Sequence, residues 1–103
     1  MNNSLEVIDL LAVASNLETD TDYVLSHISK GTLLLLKQKP QIYCDEQHEV
    51  EERIVVLHGR VGIRSAEKSV YAHVGQMIVV AAALEHGYTA DSDGVVVVIF
   101  GEA

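Results

Sequence analysis

From Tyr23 onward, apolar residues come in short runs separated by glycine-bearing or charged turns. Tyr23–Ile28 and Thr32–Lys37 flank Ser29-Lys30-Gly31, so the pattern predicts a hairpin whose glycine can take positive φ. Pro40 breaks the second run, and a further strand is predicted over Gln41–Asp45. Arg53–Leu57 and Val61–Ser65 read as a hairpin turning at His58-Gly59-Arg60. Val70–Val74, Met77–Val80, His86–Ala90 and Val95–Phe100 follow, the last two separated by the turn signal Asp91-Ser92-Asp93-Gly94. Before Tyr23 the period changes. Residues 5–8 suit a short strand or the start of a helix. Asp9 is then placed to cap a short helix whose apolar side is Leu10, Leu11, Val13, Ala14 and Leu17.

Eight or nine short strands at spacings near ten residues predict an antiparallel sandwich or barrel rather than alternating β and α units. Closing the sheet would protect Val95–Phe100, which would aggregate as an exposed edge. The expected organisation is a single domain over residues 1–103. Residues 1–22 form a strand or helix segment, and residues 23–100 form the β structure.

Composition narrows the function classes. Hydrophobic residues make up 49% of the chain but aromatics only 5%, so Val, Leu, Ile and Ala must build the core. A formal charge of −8 with scattered Lys and Arg argues against nucleic acid, whose phosphates need clustered cations. The apolar runs fall well short of the roughly twenty residues of a membrane span, and no membrane partner is expected. With one cysteine, Cys44, and an amino-terminal segment interrupted by Glu6 and Asp9, a cytoplasmic location is expected. No cation beside Cys44 in the sequence would lower its pKa, so it reads as a small apolar filler.

Candidate chemistry gathers in two segments. The first, Asp45-Glu46-Gln47-His48-Glu49-Val50-Glu51-Glu52, crowds carboxylates and a histidine in front of an apolar run. The second runs from Gly75 through an apolar strand and small-residue turn to His86. Glu52 and Gly59 are separated by six residues, and Gly75 is followed by five residues, Ala81-Ala82-Ala83, two residues and His86. In these spacings residues 20–100 resemble the cupin family, in particular small single-domain proteins of the cupin 2 conserved barrel type. The departures are Ala81 for proline, Ala83 for glycine, Ala90 for asparagine, and the missing HxH pair.

The resemblance implies an all-β double-stranded β-helix, a cupin or jelly-roll-like barrel, here with a short N-terminal helix. It also implies one divalent metal (Mn, Fe, Zn, Ni or Mg) held inside by Glu52, His86 and two residues standing for HxH. Aligned without gaps, those two are Asp45 and Gln47; in a shorter register they are Glu46 and His48. Alternation along a strand makes the choices mutually exclusive. Periodicity would bury the face of Ile42, Cys44, Glu46 and His48, whereas the gap-free resemblance favours Asp45 and Gln47. The first set, with Glu52 and His86, offers three oxygens and one imidazole, suited to hard cations. The second offers two imidazoles and two carboxylates, better for Mn²⁺, Fe²⁺ or Zn²⁺. Either set without metal leaves carboxylates together in a partly dry cavity, and Glu52 is expected to have a raised pKa.

Plainer roles are available for the same residues. Glu52 could pair with Arg53 or Arg64 at the surface, His86 could bond backbone in the core, and His48 fits an exposed loop. Three readings therefore stand open: a metal-dependent enzyme, a metal-free module binding a small molecule, and a vestigial structural protein. A twofold homodimer is expected.

Overall fold

A computed structural model describes residues 5–101. It contains one short helix, α1 (Leu10–Ala14), and seven strands: β1 (Tyr23–Ile28), β2 (Gly31–Gln38), β3 (Glu52–Arg64), β4 (Ser69–His73), β5 (Met77–Val80), β6 (Gly87–Tyr88) and β7 (Asp93–Gly101). All pairing between strands is antiparallel, in the order β1-β2-β7-β3-β4, with β5 and β6 also on β3. The hydrogen-bonded path stays open, with β1 and β4 at its ends, so the expected closure does not come from a continuous ladder. The Val-rich β7 is protected all the same, because it lies between β2 and β3.

The expected hairpin at His58-Gly59-Arg60 is not formed. Residues 52–64 are one strand. Its first half pairs with β5 and β7, and its last residues with β4 and β6. A register shift between Val56 and His58 and a left-handed Gly59 (φ 73°) mark the change of neighbours. Such a bulge bends and twists a strand without ending it. A glycine followed by a charged residue therefore marks a bulge here rather than a turn. Gly59 faces Gly94 across the ladder, and a Cβ on either would overlap the other strand's backbone.

Alternation along β2 and β7 supplies two apolar clusters, one on each side of the sheet. Leu34, Leu36, Val96 and Val98 join Ile54, Val56, Val61, Ile63, Tyr43 and Tyr88 on the concave side. Leu35, Val95 and Val97 face the other way and are covered by Ala14, Leu10, Val13 and Leu17. A five-residue helix is not stable alone. It is held by this contact and by Asp9, whose side chain accepts from the Ala12 amide at 3.1 Å. Residues 5–8 form neither strand nor helix. No helix among the described residues is long and apolar enough to cross a membrane.

The expected strand over Gln41–Asp45 is also replaced. These residues run as an irregular segment, with Tyr43 buried and Ile42 91% exposed. The Tyr43 hydroxyl donates to Lys39 O at 2.5 Å and accepts from Lys39 N at 3.0 Å, which folds the chain tightly after Pro40. Cys44 is exposed rather than a core filler.

Gly59→Ala and Gly75→Ala separate strain from overlap. Both glycines are left-handed, but a Cβ at Gly75 meets nothing within 4 Å. Gly75→Ala should cost about 1–2 kcal/mol, and Gly59→Ala about 3 kcal/mol or more, because β7 must also move. Urea denaturation of the two variants checks the difference.

Candidate metal centre

His86 immediately precedes β6 and is 3% exposed. Its backbone forms an isolated antiparallel bridge with Glu46: Glu46 N donates to His86 O at 2.7 Å, and His86 N to Glu46 O at 3.0 Å. Residues directly opposite in an antiparallel pair send their side chains to the same side. With His86 facing inward, Glu46 is inward too. His48 follows two residues later on the same face, while Asp45 and Gln47 are turned outward.

The side chains agree. Ligand atoms of Glu46, His48 and His86 all lie within 4.8 Å of one another. His48 Nε2 is 3.6 Å from a Glu46 oxygen, and the two histidine rings are 5.7 Å apart. Glu52, the first residue of β3, is 4% exposed and brings Oε1 to 2.5 Å from His86 Nε2. Asp45 and Gln47 are not brought to this cluster. Asp45 forms an ion pair with Arg64, whose guanidinium also donates to Tyr43 O at 2.6 Å. Gln47 Nε2 donates to Ala83 O at 2.7 Å. His48 is partly buried, with its ring edge-on to Phe100 at 5.1 Å, so it is not the exposed loop residue expected.

Two supports hold the second segment in place. Ala83 N donates to His48 O at 2.7 Å, and Ala83 itself is left-handed, φ 65°. The motif has glycine at this position, so the chain adopts the glycine conformation with an alanine and carries the strain that this implies. The residue was legible in the sequence as a departure; its link to His48 was not. The second support is the bond from His86 Nδ1 to Leu84 O, 2.8 Å. A carbonyl can only accept, so Nδ1 carries a proton, and Nε2 is the nitrogen turned toward the cluster. Fixing the tautomer in this way is what a metal-ligating histidine requires.

His86 Nε2 faces Glu52 Oε1. Neither atom has a hydrogen-bond partner, and neither does His48 Nε2, although all three are buried. The 2.5 Å approach of His86 to Glu52 therefore lacks the angle of a hydrogen bond. Two lone pairs so close repel unless a proton or a cation lies among them. Burial raises the Glu52 pKa above the usual carboxylate range; His86 and His48 oppose the rise, and the Glu46 charge adds to it. The expectation of a raised Glu52 pKa is met, with desolvation as the leading cause.

The remaining candidates take surface roles. Arg53 pairs with Glu51, not Glu52. Arg60 lies 3.9 Å over the Tyr71 ring and 3.5 Å from Asp91, and Arg64 is held by Asp45, so neither is free for an anionic ligand. His27, His58 and His73 are exposed.

The fold is that of the cupins. A cupin-2 domain containing protein from Shewanella frigidimarina superimposes with a TM-score of 0.82 at 18% identity, over 93% of this chain and 95% of its own. A protein from Neisseria meningitidis gives 0.80 at 17% identity, over 94% of this chain and 100% of its own. An RmlC-like cupin from Shewanella frigidimarina gives 0.68 at 13% identity, over 80% and 75%. No protein-family profile matches the chain, and no curated protein is similar to it in sequence. At these identities the likeness establishes the fold; the chemistry rests on the residues themselves.

The raised Glu52 pKa sets a pH dependence for the metal-free protein. Folded Glu52 keeps its proton at pH values where the unfolded chain has already released it, so stability falls as pH rises through the raised pKa. Glu52→Gln abolishes that fall. In chelator the variant should be more stable than the parent at neutral pH, with the gap closing below about pH 4. Denaturation midpoints across this range check it, and a gap independent of pH would refute it.

Proposed function

We propose that the chain binds one divalent transition metal through Glu46, His48 and His86, with Glu52 as fourth ligand, and presents it to a small molecule in the cavity. The observation that carries this reading is the convergence of buried donor atoms lacking hydrogen-bond partners, His48 Nε2, His86 Nε2 and Glu52 Oε1. Such atoms cost free energy unless something fills the gap among them. The donor set fits a cation: two imidazoles with one or two carboxylates suit Mn²⁺, Fe²⁺ or Zn²⁺ better than Mg²⁺ or Ca²⁺. When bound, the ion would polarise an oxygen of the ligand as a Lewis acid. Glu52 and Glu46 would balance its charge, the Leu84 carbonyl would hold His86, and the Ala83 amide would hold the His48 backbone. A reducing, cytoplasmic setting is consistent with the exposed free thiol of Cys44.

The test is a metal titration of tag-free protein after chelator treatment. Mn²⁺, Fe²⁺ or Zn²⁺ at about a hundredfold excess over Kd should stabilise the fold by about 2.7 kcal/mol. The gain should vanish in His86→Ala and fall strongly in His48→Ala. Asp45→Asn and Gln47→Ala should keep it, because those side chains face away. No stabilisation by any of the three ions would end this reading in favour of a metal-free cavity.

Assembly as a homodimer is a separate reading with its own support. β1 is an end of the sheet and leaves Tyr23, Val24 and Ile28 exposed, while Leu5 and Val7 face solvent almost completely. Apolar edges of this kind are normally covered, and a second copy in twofold symmetry is the simplest cover. Sedimentation should give a dimer, converted towards monomer by Val24→Lys. A monomeric parent chain at high concentration would refute it.

A further inference from the structure

Glu46, His48 and His86 stand outside the named strands, so the segment before β3 must be held against the segment before β6 by other means. On the inner side the Glu46–His86 bridge does this. On the outer side one side chain does. Arg64, the last residue of β3, is paired in register with Gly87, the first residue of β6 and the neighbour of His86. Successive residues of extended backbone face opposite ways, so Gly87 presents the outer surface directly behind His86. The Arg64 guanidinium lies over that glycine. A Cβ there would stand 2.8 and 2.9 Å from its two terminal nitrogens and 2.9 Å from Asp45 Oδ1. One nitrogen donates to Tyr43 O at 2.6 Å and the other pairs with the Asp45 carboxylate. Three segments meet at this point, with Glu46 and His86 on its inner side.

The contact suits a geometric role better than a stabilising one. Arg64 is half-buried and Asp45 exposed, and an ion pair in such a setting contributes little to stability. A guanidinium fork, however, fixes two acceptors in direction as well as distance. Here those acceptors span residues 43–45, ending one position before Glu46. Gly87 fits the same account. The left-handed glycines are Gly59 and Gly75, so backbone conformation does not call for glycine at 87. The missing side chain instead leaves room for the guanidinium to cross.

We propose that Arg64 is the positioning residue of the cluster: passing over Gly87, it holds residues 43–45 so that Glu46 and His48 stay turned towards His86. This role rests on the metal reading for what the cluster binds, but not for the geometry being held. Asp45→Asn keeps an acceptor oxygen in place and leaves Tyr43 O untouched, in keeping with the metal response expected of that variant.

The experiment is amide hydrogen exchange of the full chain in chelator, followed by Zn²⁺ titration of the same proteins against a competing chelator. In Arg64→Gln the Glu46 and His86 amides should exchange about tenfold faster or more. The Val96 and Val98 amides, in β7 between β2 and β3, should keep the parent's rates. Zn²⁺ affinity should fall by about tenfold or more. Gly87→Ala is the second variant. Its methyl would meet only the ends of flexible side chains, so the guanidinium is displaced with every charge retained, and both changes should recur. Parental exchange at Glu46 and His86 in both variants would overturn the proposal. Equal acceleration throughout the sheet would also overturn it, since that marks a general loss of stability. So would parental Zn²⁺ affinity beside opened amides. The two readings fail separately. A parent that binds no Zn²⁺ while its variants show the selective acceleration would sink the metal centre alone. A parent that binds Zn²⁺ while neither variant's amides respond would sink the role of Arg64 alone.

Discussion

A pair of backbone hydrogen bonds between Glu46 and His86 determines what this cavity can do. The bridge joins residues forty positions apart and fixes which side chains of the first segment point inward. Once it forms, Glu46 and His48 must face His86, and Asp45 and Gln47 must face solvent. Arg64 reinforces the choice from outside by holding both Tyr43 O and the Asp45 carboxylate. Ala83 reinforces it from the other segment, through the His48 carbonyl and the Gln47 amide.

The long strand β3 sets the rest of the geometry. Its hydrogen bonds to β7 and β5 bury Glu52 at the base of the cavity, and its far end carries β4 and β6. The bulge before Gly59 lets one strand serve both ends. The outcome is a carboxylate and an imidazole brought together in the core, an arrangement that needs a cation or a proton between them to be stable. Glu52 stands on the sheet, whereas Glu46, His48 and His86 lie on irregular segments joined by the Glu46–His86 bridge and by the Ala83 amide.

Much of this was legible from residue order. The strand rhythm, the Asp9 cap and the spacings Glu52 to Gly59 and Gly75 to His86 all correspond to features of the fold. Spacing survives substitution because it reflects strand and turn lengths, which is why the cupin likeness was readable despite 18% identity. The hairpin at Gly59 was misread because a bulge and a turn use the same left-handed glycine. Only the partner strand, with Gly94 opposite, distinguishes them.

The inward face of residues 42–48 shows where local reasoning ends. Alternation would put Tyr43 and Asp45 on one side and Ile42 and Glu46 on the other. The protein buries Tyr43, exposes Ile42 and still turns Glu46 inward. No single parity accounts for that, because Gln41–Asp45 is not a strand. The sequence by itself determined the all-β rhythm, the Asp9 cap and the supply of carboxylates and imidazoles, since these follow from local backbone preference and side-chain type. Tertiary structure alone decided which of those groups meet. A side chain's direction there is set by hydrogen bonds to Lys39, Arg64 and His86, and partners up to forty residues away leave no periodic trace in the chain.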